Sequence, residues 1–234
     1  MYATLVRTEQ LAPTIRRFWF QPEKALDYVA GQFTELYLPH SSPDNRGQKR
    51  WFTISSSPTE QLFSITSRFA GERPSTFKQT LLQVTPGSRL QFAEPMGDFV
   101  LPKDPRLPLI FVAGGIGITP VHSMIKFLHD RSQQRDIRLL YIVRDSQELL
   151  FSDLFRAYGL QMTPIVTAPR QSWEESLQNI DVQQLTTQAQ ATPNSLLYLS
   201  GPEQLVEYLN AELQKNGVPG RRLITDFFHG YQSV

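Results

Sequence analysis

Hydrophobic and polar positions change rhythm once along the chain, between Leu101 and Pro108. Before that stretch, short apolar or aromatic runs recur: Ala3–Arg7, Thr14–Phe20, Phe33–Leu38, Trp51–Ser55, Leu62–Ser67 and Arg89–Ala93. In Leu62–Ser67, Phe63 and Ile65 alternate with Ser64 and Thr66, the period of a half-buried antiparallel strand. Turn formers separate the runs, among them Gly31, Ser41 to Gly47, Pro58 and Pro86-Gly87. Strands this short and closely spaced predict a barrel or sandwich. One helix is predicted at Ser75–Leu82, with Ser75 as N-cap and Phe77 and Leu81 on one face.

Beyond Pro108 strands and helices alternate. Leu109–Ala113 reads as a wholly apolar strand. Pro120 is expected at the first position of a helix whose Val121, Met124, Ile125 and Leu128 fall on one face. Leu139–Val143, Met162–Thr167 and Leu196–Ser200 are predicted strands. Glu148–Tyr158 and Pro202–Asn216 are predicted helices, the second stopped by Gly217. This order implies βαβ units on a parallel sheet. The Pro-rich stretch divides the chain into residues 1–103 and 104–234. The Gln-rich segment Gln178–Asn194 predicts no definite element.

Composition narrows the function. The 234 residues are 40% hydrophobic with a net charge of +1, which excludes disorder and gives no electrostatic reason for a nucleic-acid partner. There is no cysteine, so disulfides, Cys-ligated zinc, Cys-bound iron–sulfur clusters and a Cys nucleophile are excluded. Met1 to Gln10 lacks the apolar core of a signal peptide. The apolar run Pro108 to Val121 is interrupted by Gly114, Gly115 and Gly117, and is shorter than the about 20 residues a bilayer needs. A cytoplasmic chain without membrane insertion is expected.

Two stretches carry candidate chemistry. Ala113-Gly114-Gly115-Ile116-Gly117-Ile118-Thr119-Pro120 lies between a buried strand and an amphipathic helix, the setting of a phosphate-binding turn. There the glycines admit a pyrophosphate and the helix N-terminus offers free N–H groups. Pro120 takes the place of the third glycine of the dinucleotide fingerprint, which favours a looser nicotinamide site over a tightly held dinucleotide. A tight turn without a ligand is the plainer alternative. The next strand ends Val143-Arg144-Asp145. Arg144, with Arg170 further on, suits the 2′-phosphate of NADP, whereas Asp145 suits the ribose of NAD. The second stretch, Arg50-Trp51-Phe52-Thr53-Ile54-Ser55-Ser56-Ser57-Pro58, joins an arginine and two aromatics to four hydroxyls. It suits an anionic, planar, hydrogen-bonding ligand, or else forms an exposed edge strand.

These motifs, in this order, resemble the ferredoxin–NADP reductase superfamily. Arg50, Phe52, Thr53 and Ser56 match its R-x-Y-[ST]-x-x-S. Gly31-Gln32-Phe33, Gly71 to Phe77, Glu94 to Phe99, Gly114 to Pro120, Ser200-Gly201-Pro202 and Asp226-Phe227-Phe228 are similar to its other landmarks. The resemblance implies a six-stranded antiparallel flavin-binding barrel followed by a Rossmann-like parallel α/β domain for NADPH or NADH. Carried over, Arg50 binds the phosphate of FAD, Phe52 lies against its isoalloxazine, Thr53 faces flavin N5, and Trp51 and Ser56 belong to the same site. Gly71, Ser75 and Thr76 hold the flavin pyrophosphate. Gly114, Gly115, Gly117, Thr119, Pro120, Arg144 and Gly201 serve the nicotinamide nucleotide, while Ser200 and Asp226 stand at the reacting centre. Phe228 walls the flavin, and Tyr231 is more exposed.

Three departures are visible: Phe52 replaces Tyr, Ser200 replaces the commoner Cys, and Asp226 replaces the commoner Glu. The implied activity is hydride transfer from NAD(P)H to FAD. Electrons then pass to an external acceptor such as ferredoxin, flavodoxin, a haem protein, a membrane complex or a quinone. A free flavin reductase and an electron-transfer subunit with weak nucleotide use are the alternatives. The resemblance requires no general base, and His40, His122, His129 and His229 are expected in solvated or packing roles.

Overall fold

The computed structural model describes residues 1–45, 47–69, 75–167, 177 and 180–228. The first half supplies strands β1 (Tyr2–Ala12), β2 (Ile15–Pro22), β3 (Phe33–Tyr37), β4 (Lys49–Thr53), β5 (Phe63–Arg68) and β6 (Arg89–Phe92). They form a six-stranded antiparallel sheet in the order β4-β3-β6-β1-β2-β5. Its edges meet: Ile54 bridges Ile65, and Ser55 N donates to Ser64 O at 2.8 Å. This closes the barrel and removes both exposed edges. It also explains why β4 ends at Thr53, before the expected Ser55, since the next two residues turn from β3 to reach β5.

Alternating residues fill the barrel with Leu5, Phe18, Phe20, Leu36, Ile54, Ile65 and Phe92. The rings of Phe20, Phe63 and Phe92 meet at 4.9–5.3 Å between centroids. Helix α1 (Thr76–Gln83) plugs one side with Phe77 and Leu81, and the Ser75 hydroxyl caps it by accepting from Lys78 N. Both the cap and the face are as expected.

The second half is a five-stranded parallel sheet, order β11-β10-β7-β8-β9, built from β7 (Leu109–Gly114), β8 (Ile137–Val143), β9 (Gln161–Val166), β10 (Leu196–Pro202) and β11 (Leu223–Phe228). Strand β7 is buried throughout because helices cover both faces. Leu109, Phe111 and Ala113 pack with α2 (Ile118–Asp130) and α3 (Ser152–Tyr158). Ile110 and Val112 pack with α4 (Val182–Ala191) and α5 (Glu203–Lys215). Ile15, Ala30 and Phe99 of the first half join the cluster around α2, so a continuous core crosses between the two sheets.

Two of the expected helices are corrected. Helix α2 begins at Ile118, after a 3-10 turn at Gly115–Gly117, so Pro120 is its third residue. Pro is tolerated there because the first four N–H groups of a helix have no partner within it. The single helix expected over Glu148–Tyr158 is broken by Phe151, which adopts φ 63°. Such a left-handed residue costs about 1–2 kcal/mol. Its ring is held 3.8 Å from that of His122. The Gln-rich segment contains α4, capped by Asp181. Asp226 to Phe228 lie within the last strand, β11.

Candidate functional site

Strand order reverses between β7 and β10, the chain running outward from β7 on either side. In open α/β sheets, ligands bind in the crevice beyond the carboxyl ends of the strands at such a point. The turn Gly114–Gly117 leaves β7 there, and Ser200–Gly201 lie beside it near the end of β10. The turn and the strand touch backbone to backbone. A Cβ on Gly117 would stand 2.5 Å from the Ser200 carbonyl carbon and 2.6 Å from Gly201 N. One on Gly201 would stand 3.1 Å from Gly114. Glycine at both positions is thus a packing requirement. Thr119 Oγ1 donates to Ile116 O at 3.0 Å and stiffens the turn.

Register places Ala113, Ser200 and Asp226 side by side across β7, β10 and β11. The Ser200 hydroxyl is buried with no hydrogen-bond partner among the described residues. Burial pushes the Asp226 carboxyl up to about 6. On the barrel side, Thr53 Oγ1 at the end of β4 is likewise buried without a partner. An unsatisfied buried hydroxyl costs about 1–3 kcal/mol. Two such groups, one at the end of β4 and one at the end of β10, fit a ligand with hydrogen-bonding ring edges.

A second cluster lies at the start of α1. The Arg50 guanidinium sits 4.9 Å over the Phe77 ring, and Phe52 packs 6.1 Å from the same ring. Thr76 Oγ1 pairs with His40 Nε2 at 3.3 Å. Arg50 is ion-paired with Asp44 at 2.7 Å and donates to Gly47 O at 3.0 Å. An arginine beside a capped helix N-terminus suits a phosphate. The other expected flavin residues differ. Strand alternation turns Trp51 to the opposite face from Arg50 and Phe52, where it is 59% exposed and donates to Glu35. The Ser56 hydroxyl is already engaged by Tyr28 Oη and Ser64 N. Gly71, Arg170, His229, Tyr231 and the Phe228 side chain lie outside the described residues.

Residues with no motif of their own join the halves around this crevice. Arg68, at the end of β5, donates to Glu148 at 2.6 Å, and Thr14 Oγ1 donates to the same carboxylate at 3.0 Å. Arg68 Nη2 stands 3.2 Å from where a Gly115 Cβ would be. Arg144 is partly buried, and burial together with the nearby Arg68 charge lowers its pKa. Arg68, with Arg144 nearby, thus places positive charge beside the glycine turn at one end of the crevice. Of the two roles expected for the histidines, His122 takes the packed one: it is buried against Phe151 and also hydrogen-bonded across the halves.

The fold has two parts, an antiparallel barrel followed by a parallel sheet with a crevice at its switch point. Residues 111–211 match the family described as "Oxidoreductase NAD-binding domain". The structure is similar to ferredoxin-NADP+ reductase from Plasmodium falciparum, with a TM-score of 0.84 and 16% identity, over 97% of this chain and 95% of that one. The sequence is 30% identical to phenol hydroxylase P5 protein of Acinetobacter pittii over 175 residues, 72% of this chain and 48% of the relative. It is 23% identical to a flavohemoprotein of Bacillus cereus over 247 residues, 96% of this chain and 60% of the relative. The chain therefore spans about half to three-fifths of these curated relatives. Residues 111–211 thus carry the match to an oxidoreductase NAD-binding domain, and over the whole chain the likeness to ferredoxin-NADP+ reductase is one of fold.

Proposed function

We propose that the chain is an NAD(P)H-dependent FAD oxidoreductase that passes electrons to a group outside its 234 residues. Residues 1–103 hold the flavin, residues 104–234 hold the nucleotide, and the chain works in the cytoplasm. The observation that carries this reading is the pair of buried, unpartnered hydroxyls, Thr53 Oγ1 and Ser200 Oγ, at the ends of β4 and β10. When bound, FAD supplies the chemistry by accepting a hydride at its ring and releasing electrons onward.

The protein's own residues bind, orient and exclude water. Arg50, with Ser75 and Thr76 at the start of α1, meets the flavin phosphates. Thr53 offers its hydroxyl to the ring edge. Gly114, Gly115 and Gly117 let the nucleotide pyrophosphate approach the backbone, with Arg68 and Arg144 supplying positive charge. Ser200 and Asp226 line the place where the nicotinamide reacts. None of these groups needs to take or give a proton for hydride transfer. Arg144 favours NADPH over NADH.

The relatives include proteins named phenol hydroxylase P5 protein, propane 2-monooxygenase reductase component and glycine betaine monooxygenase reductase subunit. That company favours a protein acceptor, of the kind that a ferredoxin, a flavodoxin or an oxygenase component represents. Among the described residues no helix is long and apolar enough to cross a membrane, and no cluster of side chains could hold a metal ion. The test is the purified chain itself. It should be yellow, and the cofactor released by heat should be FAD. A colourless chain that takes up neither added FAD nor FMN overturns the reading.

A further inference from the structure

Helix α2 starts from the glycine turn, and its first exit from that turn is into the barrel. His122 Nδ1 lies 2.6 Å from Ser55 O, and Ser123 Oγ donates to Ser56 O at 2.5 Å. The two carbonyls lie two and three residues beyond Thr53 in the chain. The other nitrogen of His122, Nε2, lies 3.3 Å from Arg17 Nη2 on β2. Arginine can only donate, so Nε2 accepts, and the proton on the ring must sit on Nδ1 and point to Ser55 O. The imidazole is thus threaded between two barrel strands in one fixed tautomer. Burial and the adjacent Arg17 keep it neutral, with a pKa lowered to about 3. The site is packed: Arg17 lies 4.6 Å over the Phe151 ring, which itself covers His122. Phe151 adopts its left-handed conformation at this contact.

The lengths involved are short. Thr119 and His122 are separated by about 4.5 Å of helix, at 1.5 Å per residue. From Thr53 to Ser55 the chain extends at most about 7 Å. Two hydrogen bonds therefore tie the segment just after β4 to the first half of α2, one helical turn beyond Thr119. Other polar links between the halves engage different segments: Thr59 pairs with Asp130 at the exposed far end of α2, Arg68 and Thr14 with Glu148, and Tyr198 with the Val100 carbonyl.

We propose that His122 and Ser123 are positioning residues for hydride transfer: by holding the Ser55 and Ser56 carbonyls they set the separation between the flavin ring edge and the nicotinamide. This rests on the flavin and nucleotide reading given above. It differs from a general stabilising role in what it moves. Reacting atoms must lie about 3–3.5 Å apart, and a misplacement of about 1 Å costs about a hundredfold in rate. Losing one of the two ties should therefore slow the chemical step with little change in the binding of either cofactor.

The variants are His122→Leu, which keeps the approximate volume and removes both hydrogen bonds, and Ser123→Ala, which removes one and leaves the fold least disturbed. His122→Asn is the rescue, because its amide nitrogen can occupy the place of Nδ1 and donate to Ser55 O. Each is isolated with FAD bound, and flavin occupancy is measured from absorbance. Anaerobic stopped-flow then gives the rate of flavin bleaching and the nucleotide concentration at half-saturation. Amide hydrogen exchange is measured over residues 53–57 and 118–125. The expected result for His122→Leu and Ser123→Ala is unchanged occupancy, a limiting rate reduced about tenfold or more, half-saturation within about threefold, and faster exchange in both segments. His122→Asn should recover most of the rate. If both variants keep the wild-type limiting rate, or if their loss matches lost flavin and His122→Asn restores nothing, the positioning role is overturned while the functional reading stands. If the wild-type flavin is bleached by neither NADPH nor NADH, the functional reading is overturned and this role with it.

Discussion

Glu148→Gln tests the ionic contact that joins the two halves beside the glycine turn. The carboxylate accepts from Arg68 at 2.6 Å and from Thr14 at 3.0 Å, with the Arg68 and Glu148 side chains 15% and 10% exposed. The amide keeps the shape and one acceptor oxygen but removes the charge. A hydrogen bond involving a charged acceptor is worth about 1.5–3 kcal/mol, against about 0.5–1.5 kcal/mol for a neutral pair. The substitution should therefore cost about 1–1.5 kcal/mol. Relief of the buried carboxylate's desolvation offsets part of this loss, yet Arg68 then faces the positive charge of Arg144 with less to balance it. For a chain of this size, about 2–4 °C is lost per kcal/mol, so calorimetry should show the melting temperature lowered by about 2–6 °C.

A second readout should move the other way. Arg68 stands against the turn at Gly115, and freed from Glu148 it is available to a phosphate there. Nucleotide affinity by isothermal titration should tighten by about fivefold, the equivalent of about 1 kcal/mol. An unchanged or raised melting temperature would refute the stabilising role of the contact. A lowered one with weaker nucleotide binding would refute the competition for Arg68.

Gly117→Ala should damage the crevice, because its Cβ would press on Ser200 and Gly201 at 2.5–2.6 Å. A loss of about 1–3 kcal/mol is expected in denaturant titration, with nucleotide affinity weakened at least tenfold; wild-type affinity would show that the turn and the strand need not touch. Asp226 has its pKa raised by burial from 3.8 to about 6, so its contribution to stability is present below the lower value and is lost as pH rises through the upper one. Thermal melts of Asp226→Asn should match wild type near about pH 4 and exceed it near about pH 7, and a difference independent of pH would contradict the shift. Arg144→Ala should remove a preference for NADPH in kcat/KM and leave the NADH value within about twofold, since the 2′-phosphate is the only group that distinguishes the two nucleotides. A retained preference would move the phosphate site elsewhere.

What could be read in the sequence follows from how local each signal is. Phe63 and Ile65 alternate because one strand has two faces, and Leu109 to Ala113 is apolar because helices cover both sides of β7. Neither needs a distant partner to be recognised. The Ser75 cap and the glycine turn are similarly complete within a few residues. The flavin-side cluster was legible in part. Arg50 and Phe52 lie together against Phe77, but an alternating strand sends Trp51 to the outside, and Ser56 spends its hydroxyl inside the barrel.

The contacts between the halves left no trace in the sequence. His122 meets Ser55 across 67 residues and Arg68 meets Glu148 across 80, and each is a common residue type with no fixed spacing to its partner. The break at Phe151 was hidden for the same reason. The local pattern of Phe151 and Phe155 is helical, and the packing of Phe151 on His122 overrides it. The α4 helix lacked a strong apolar rhythm, yet Leu185 and Ala189 bury one narrow face against the sheet.

Anaerobic addition of NADPH, and separately of NADH, to the FAD-loaded protein tests most directly whether Thr53 and Ser200 flank a hydride-transfer site. The visible flavin absorbance should bleach with one equivalent of NADPH, more slowly with NADH, and return when an electron acceptor is admitted. A protein that binds FAD but keeps its oxidised spectrum in excess of both nucleotides would contradict the assignment of the crevice to the nicotinamide, and with it the proposed oxidoreductase activity.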